Sequence, residues 1–289
     1  MSVRTLFQAP TVAGLIARLD LSPSLDAVGA VLPIRVSGNK HPFFCIHPAA
    51  GVGWCYMPLA RYVPADYPVY GLQAAGLDGM SPLSSSLEEM AAGHVGQIRA
   101  LQETGPYYLL GWSFGGIVAH EVAVQLQAAG QQVHLIIMDG YPPDHGADPA
   151  PASGEDDPAE LPGTGSSTGE EAPAHDRPPA EIVSRLRQEW GYMLAGISDE
   201  ELMTSMRVLK NNRRLALEHS FGEFAGDTLL IVAAKGRDQD DAPAAAGWRA
   251  YITGEIIESW LPCGHMEMAQ PEMLTQVWDR ISMWLRRES

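Results

Sequence analysis

The stretch Gly111-Trp112-Ser113-Phe114-Gly115 sets a serine between two glycines where an apolar run, YYLL, gives way to an alanine- and valine-rich helical pattern, GIVAHEVAVQLQAAG. A strand-to-helix turn this sharp strains the backbone of the serine and leaves no room for bulk two residues away, which accounts for both glycines. The Ser113 hydroxyl should then stand clear above a sheet edge. The backbone N–H of Phe114, at the start of the helix, should face any oxyanion forming beside that hydroxyl. Acyl transfer through a serine ester is the chemistry this layout suits. A serine hydroxyl needs a base to take its proton near neutral pH, and nine histidines are available. His120, His134 and His94 fall within a helix, a strand and a surface helix, where ordinary packing or solvation explains them. His145 and His175 flank an acidic stretch, His41 lies in a linker and His219 ends a helix. His47 adjoins a small-residue turn and reads as shaping it. His265, in PCGHMEM between the last strand and the last helix, shares the sheet edge of Ser113 and is the expected base.

Two aspartates compete to orient that imidazole. Asp139 closes the strand LIIMD, expected beside the Ser113 strand, while Asp238 follows the later strand LLIVAAKGR. An aspartate ending a wholly apolar strand is costly unless exposed or paired, which favours Asp139; a solvated turn is the plain reading of Asp238 within GRDQDD. The small residues of HPAAG allow close backbone approach at the sheet edge. Ala49 is there the expected second oxyanion donor, with Ala50 next. Trp54, Tyr141 and Met266 are candidate pocket walls, core packing being their alternative.

The elements that must position these residues follow from the hydropathy pattern. The apolar runs FFCI, YPVYGLQ, YYLLGW, QVHLIIMDG, DTLLIVAAKG and GEIIESWLP read as strands separated by helical segments, the last helix being PEMLTQVWDRISMWLRR with Leu274, Val277, Trp278, Ile281, Trp284 and Leu285 on one stripe. Strands apolar on both faces and alternating with helices imply a mostly parallel sheet covered on both sides, an α/β fold. The alternation stops over residues 141–226. Within it, residues 144–177 hold nine acids against one base, a composition that buries too little apolar surface to order itself and predicts a mobile loop. Two helices are predicted next, one carrying Ile182, Leu186, Trp190 and Met193, the other Leu202, Met206, Leu209 and Leu217. A helical insertion at that point would sit over the carboxyl edge of the strands, as a lid.

Composition narrows the partners. A chain of 289 residues, 46% hydrophobic, can bury one large core. A formal charge of −16 and a pI near 4.9 oppose binding to nucleic acid, whose phosphates would be repelled. Cys45, Cys55 and Cys263 form neither a zinc pattern nor a disulfide framework, so no metal is expected. Without a signal segment or an apolar run of about 20 residues, the reading is a soluble, cytoplasmic protein that avoids membranes.

PFFCIHPAAGVGW, GPYYLLGWSFGGIVAHEVA, LIIMDGYPP and LPCGHMEM, in this order, together resemble the thioesterase domains that end nonribosomal peptide synthetases, the chain-releasing type I thioesterases of the α/β-hydrolase superfamily. In that superfamily the triad runs Ser, Asp, His along the chain. The resemblance implies Ser113 as acylated nucleophile, Asp139 as triad acid, His265 as general base, and the Ala49 and Phe114 amides as oxyanion hole. It implies a peptidyl thioester as substrate, delivered on the phosphopantetheine of an upstream peptidyl carrier domain in the same synthetase, with no cofactor bound by this domain. Residues 1–20, with Leu6, Val12, Leu15, Ile16 and Leu19 at helical spacing, resemble the last helix of such a carrier, whose phosphopantetheine-bearing G-G-x-S is absent from this sequence. Residues 21–31, in a stretch punctuated by proline and glycine up to His41, are then a linker, and 32–289 the thioesterase domain.

Overall fold

The computed structural model describes residues 29–143, 199–237 and 244–287. The expected carrier helix, most of the linker, the acidic loop, the first of the two lid helices and Asp238 lie outside them. Seven strands form one sheet: β1 Val31–Arg35, β2 Phe43–Ile46, β3 Val69–Leu72, β4 Tyr107–Trp112, β5 Val133–Met138, β6 Thr228–Ala233 and β7 Ile256–Leu261. Their order is β1-β3-β2-β4-β5-β6-β7, with β1 antiparallel to β3 and the other neighbours parallel. The carboxyl ends of β2 to β7 therefore share one edge, where open α/β sheets place their sites.

Alternation along the strands feeds two cores. Phe44, Ile46, Leu109, Leu135, Ile137, Leu230 and Val232 face one side, against α1 Leu87–Leu101 and α2 Phe114–Ala128. Phe43, Cys45, Leu110, Ile136, Met138, Leu229 and Ile231 face the other, against the closing helix Pro271–Leu285 and a 3-10 segment, Trp54–Arg61. Each fully buried large side chain contributes roughly 1.5–3 kcal/mol of transfer free energy. Of the stripe expected on the closing helix, Leu274, Val277, Ile281 and Trp284 are buried. His94, expected on a helix surface, is instead buried in α1 and packs against the His47 ring.

Strand β1 is not legible as a strand in the sequence. Its VLPIR falls in the linker stretch, where Pro33 argues against regular pairing; an edge strand tolerates proline because one side of it needs no donors. The β1–β3 register shifts between Pro33 and Arg35. Arg35 then anchors the edge by donating to the carbonyls of Ala60, Val63, Pro64 and Tyr67.

Helix α3, Asp199–Glu218, is the part of the expected lid that the structure describes; the closing helix Pro271–Leu285 is α4. In α3, Leu202 and Leu209 are buried as the pattern predicts, but Leu217 is exposed. The buried face carries Ser205, Val208, Asn212 and Leu215. Hydropathy alone misjudges the rotation because two polar residues on this face are hydrogen-bonded inside the protein. No helix among the described residues is long and apolar enough to cross a membrane.

Candidate active site

Ser113 adopts φ 58° and ψ −127° at the junction of β4 and α2, a conformation that costs an L-residue on the order of 1–3 kcal/mol and persists only where surroundings enforce it. Its N–H continues the ladder to Met138 O at 2.9 Å, and its carbonyl receives Gly116 N at 2.9 Å. The glycines are needed for approach. A methyl at Gly111 would run into the Gly115 carbonyl, and one at Gly115 into the carbonyl oxygens of Ile46 and His47. The first residue of α2 has no acceptor within its own helix, so the Phe114 N–H makes no bond inside α2.

Tyr56 fixes the spacing beside this bend. Parallel pairing of β2 with β4 ends at Ile46 and Gly111, and beyond it the strands diverge. The buried Tyr56 hydroxyl fills the gap, accepting from Trp112 N at 2.8 Å and donating to Ile46 O at 2.7 Å. Nothing in the sequence pattern points to this role.

Asp139 follows β5 with φ 47° and is 3% exposed. Its Oδ2 meets His265 Nδ1 at 2.8 Å. Its Oδ1 accepts from Tyr141 Oη at 2.9 Å and Ala233 N at 3.1 Å, with the Arg237 guanidinium 3.7 Å away. Burial pushes the carboxyl pKa up, but the His265 hydrogen bond and charge, with the Ala233 and Tyr141 donors, outweigh it and hold the group below its ordinary value. A carboxylate so held is ionised at neutral pH, and the stability it lends is lost only as the pH falls through that depressed value. Gly140 is required next, because a methyl there would strike the Ser113 carbonyl. The Gly140 carbonyl is bound by the buried Trp248 indole at 2.8 Å.

His265 sits in the loop after β7, tied to the end of β6 by Lys235 N donating to Cys263 O at 3.0 Å. Glu267 secures the same loop, accepting from Gly264 N at 2.8 Å and Lys235 Nζ at 2.9 Å. The imidazole packs on the indole of Trp112, the residue before Ser113, with ring centroids 5.4 Å apart. With Nδ1 turned to a carboxylate, Nε2 is the nitrogen left for a proton from elsewhere.

The HPAAG turn has its carbonyls bound in succession. The Pro48 carbonyl can only accept, so the His47 Nδ1 at 2.9 Å carries a proton; Gly51 N also donates to Pro48 O at 2.9 Å. Because a trans peptide is planar, an N–H points opposite to the carbonyl of its own peptide, and the Ala49 N–H is directed away from His47. Burial lowers the His47 pKa to about 3, so the ring stays neutral. This is the turn-shaping part that its position suggests.

Of the expected pocket walls, Tyr141 has a different setting. It is buried, its hydroxyl holds Asp139, and Arg237 lies 4.7 Å over its ring. Burial and the neighbouring carboxylate raise its pKa, keeping the phenol a donor. Trp54 packs partly buried beside Ala50, Val52 and Val208, and Met266, next to His265, is exposed. Spacing two residues beyond the acid is the available clue to Tyr141, but an aromatic there fits a pocket equally well.

The family model described as "Thioesterase domain" matches residues 41–285. The chain is 36% identical over 283 residues to a dimodular nonribosomal peptide synthase of Bacillus subtilis (strain 168), covering 96% of this chain and 12% of the synthase. It is 28% identical over 288 residues to enterobactin synthase component F of Escherichia coli (strain K12), covering 96% of this chain and 20% of that protein. The chain thus spans only a small part of the curated relatives it matches. Among solved structures, the NocB thioesterase domain from a nocardicin cluster superposes with a TM-score of 0.64 at 23% identity, over 86% of this chain and 95% of NocB. The surfactin thioesterase domain SrfTE gives 0.57 at 20% identity, over 86% and 92%. These two likenesses support the α/β-hydrolase fold, and the match over residues 41–285 shows that the chain belongs to the thioesterase domain family.

Proposed function

We propose that this domain releases an acyl chain from a carrier-bound thioester through an ester on Ser113. His265 Nε2 takes the hydroxyl proton as Ser113 Oγ attacks the thioester carbonyl. The Phe114 and Ala49 amides hold the resulting oxyanion, and Asp139 stabilises the imidazolium that forms. Collapse expels the thiolate, which takes the proton from His265 and departs as the phosphopantetheine thiol. A second nucleophile, deprotonated by the same imidazole, then attacks the ester. Water gives a linear acid; a hydroxyl or amine of the same chain gives a ring. In both cases Ser113 regains its proton.

The observation that carries this reading is the 2.8 Å contact of His265 Nδ1 with a buried Asp139, on the sheet edge where Ser113 is held in a strained bend. The substrate class, a peptidyl chain on the phosphopantetheine of an upstream carrier domain, is supported by the synthetase relatives. Incubation with a serine-directed fluorophosphonate and with a peptidyl N-acetylcysteamine thioester tests it. Mass spectrometry should find one adduct on Ser113 and a released product, linear or cyclic. Ser113→Ala should lose both; turnover persisting in that variant would refute the covalent route.

A further inference from the structure

The Pro48–Gly51 part of the HPAAG turn is made of residues too small to hold themselves in place, yet its four carbonyls are all engaged. Pro48 O is bound from within the turn, and Gly51 O accepts from Ala74 N at 2.9 Å. The two between them are bound from α3: Asn212 Nδ2 donates to Ala49 O at 2.9 Å, and Ser205 Oγ to Ala50 O at 2.7 Å. These donors stand 163 and 155 residues away in sequence. Val208 lies between them on the same face, packed with Ala50, Val52, Ala74 and Leu77.

We infer that Asn212 and Ser205 are positioning residues that fix the peptide planes on the carboxyl side of Ala49, so that the seat of the lid helix sets the oxyanion-binding geometry. Each peptide is rigid, so binding the Ala49 and Ala50 carbonyls leaves little freedom to the backbone from Ala49 to Gly51. Among the described residues the Ala49 N–H has no partner of its own, and its direction depends on its neighbours. Both side chains are almost wholly buried, Ser205 at 4% and Asn212 at 1% exposure, so bulk water cannot replace them. Asn212 is also an expensive choice for packing. Its Oδ1 is buried without a partner among the described residues, a cost that an apolar residue like its neighbours Leu209 and Leu215 would avoid. What Asn212 supplies and they cannot is a donor to this turn. Displacing α3 would release both carbonyls together, which couples the position of the lid helix to reactivity at Ser113.

This inference rests on the proposal that the Ala49 amide holds the oxyanion, and its test separates the two. Asn212→Ala, Ser205→Ala, the double variant and Ser205→Thr, which keeps the hydroxyl, would be assayed with a peptidyl N-acetylcysteamine thioester. A second readout is iodoacetamide alkylation of Ser113→Cys, with and without Asn212→Ala, located by mass spectrometry. Alkylation at carbon develops no oxyanion and needs only the thiol and its base. The expected result is a kcat lower by about 10- to 100-fold in Asn212→Ala, in the range of a misplaced oxyanion donor. KM should stay within about twofold, Ser205→Thr should match the parent, and alkylation of the introduced thiol should be unchanged by Asn212→Ala. The inference is overturned if the double variant keeps its kcat, or if alkylation falls in parallel with turnover, which would mark general loss of the fold. Loss of kcat in Ser113→Ala with none in the double variant would leave the covalent route standing and remove only the role of α3.

Discussion

Gly115→Ala asks whether the closeness of α2 to β2 is what builds the oxyanion site. A methyl at Gly115 would lie 2.8 Å from the His47 carbonyl oxygen and closer still to that of Ile46, whereas a β-carbon essentially never comes within 3.0 Å of another heavy atom. Both obstacles are backbone, so the start of the helix must retreat from β2 by several tenths of an ångström, carrying the Phe114 N–H away from the Ala49 N–H. Catalytic groups tolerate about 0.5 Å, and a misplacement of about 1 Å can cost about 100-fold. The expected loss in kcat/KM is therefore about 10- to 100-fold, equivalent to about 1.4–2.7 kcal/mol of transition-state stabilisation. Overpacking should also lower folding stability by about 1–3 kcal/mol. Gly93→Ala is the matched control, since its β-carbon would meet nothing within 4 Å on α1; it should keep activity and gain up to about 1 kcal/mol from helix propensity. Steady-state kinetics on the N-acetylcysteamine thioester and thermal melts of both variants provide the check. A Gly115→Ala protein with parent-like kcat/KM would refute the claim that this close approach sets the donor geometry.

Tyr141→Phe removes the hydroxyl that donates to Asp139 Oδ1, leaving that oxygen to Ala233 N and the Arg237 charge. A hydrogen bond to a charged acceptor contributes about 1.5–3 kcal/mol, so kcat should fall by about 10- to 150-fold with KM unchanged; an unaltered kcat would assign the orientation of the acid to the remaining partners alone. Acid should destabilise the fold well above the range of its carboxylates. Burial lowers the pKa of His47 to about 3 and of His94 and His120 to about 4, so below about pH 6.5 the unfolded chain binds protons that the native state refuses. Stability is then complete above that pH and declines as the pH falls toward 4, by about 1 kcal/mol per pH unit for each histidine. Urea unfolding at pH 7, 6 and 5 should show this, and His94→Gln should flatten the decline by about one histidine's share; an unchanged slope would contradict the buried, neutral state.

The parts of the fold legible in the sequence are those whose requirements are local. The elbow around Ser113 is written in five consecutive residues, because the steric demands of the bend fall on its immediate neighbours. The parallel strands show as apolar runs because both faces are covered, and the stripe on α4 shows because one face packs. The charged end of an apolar strand singles out Asp139, because the residue type conflicts with its surroundings unless something meets it there, and His265 is singled out by its loop after the last strand, which returns to the sheet edge of Ser113.

Partners of buried polar groups are not legible, since hydrogen bonds formed across the fold leave no periodic trace along the chain. Tyr141 reads as a pocket wall and proves to be the support of Asp139. Tyr56, bridging two diverging strands, carries no signal at all. The polar face of α3 reads as solvent-facing because hydropathy assigns Ser205 and Asn212 to water, while the carbonyls that satisfy them lie more than 150 residues earlier. Strand β1, too, exists only because β3 offers it an edge. Residue types and their order along the chain thus specify which groups can do the chemistry and on which elements they ride. How each group is aimed emerges only on folding, because aim is set by whichever buried donors and acceptors come within about 3 Å of it.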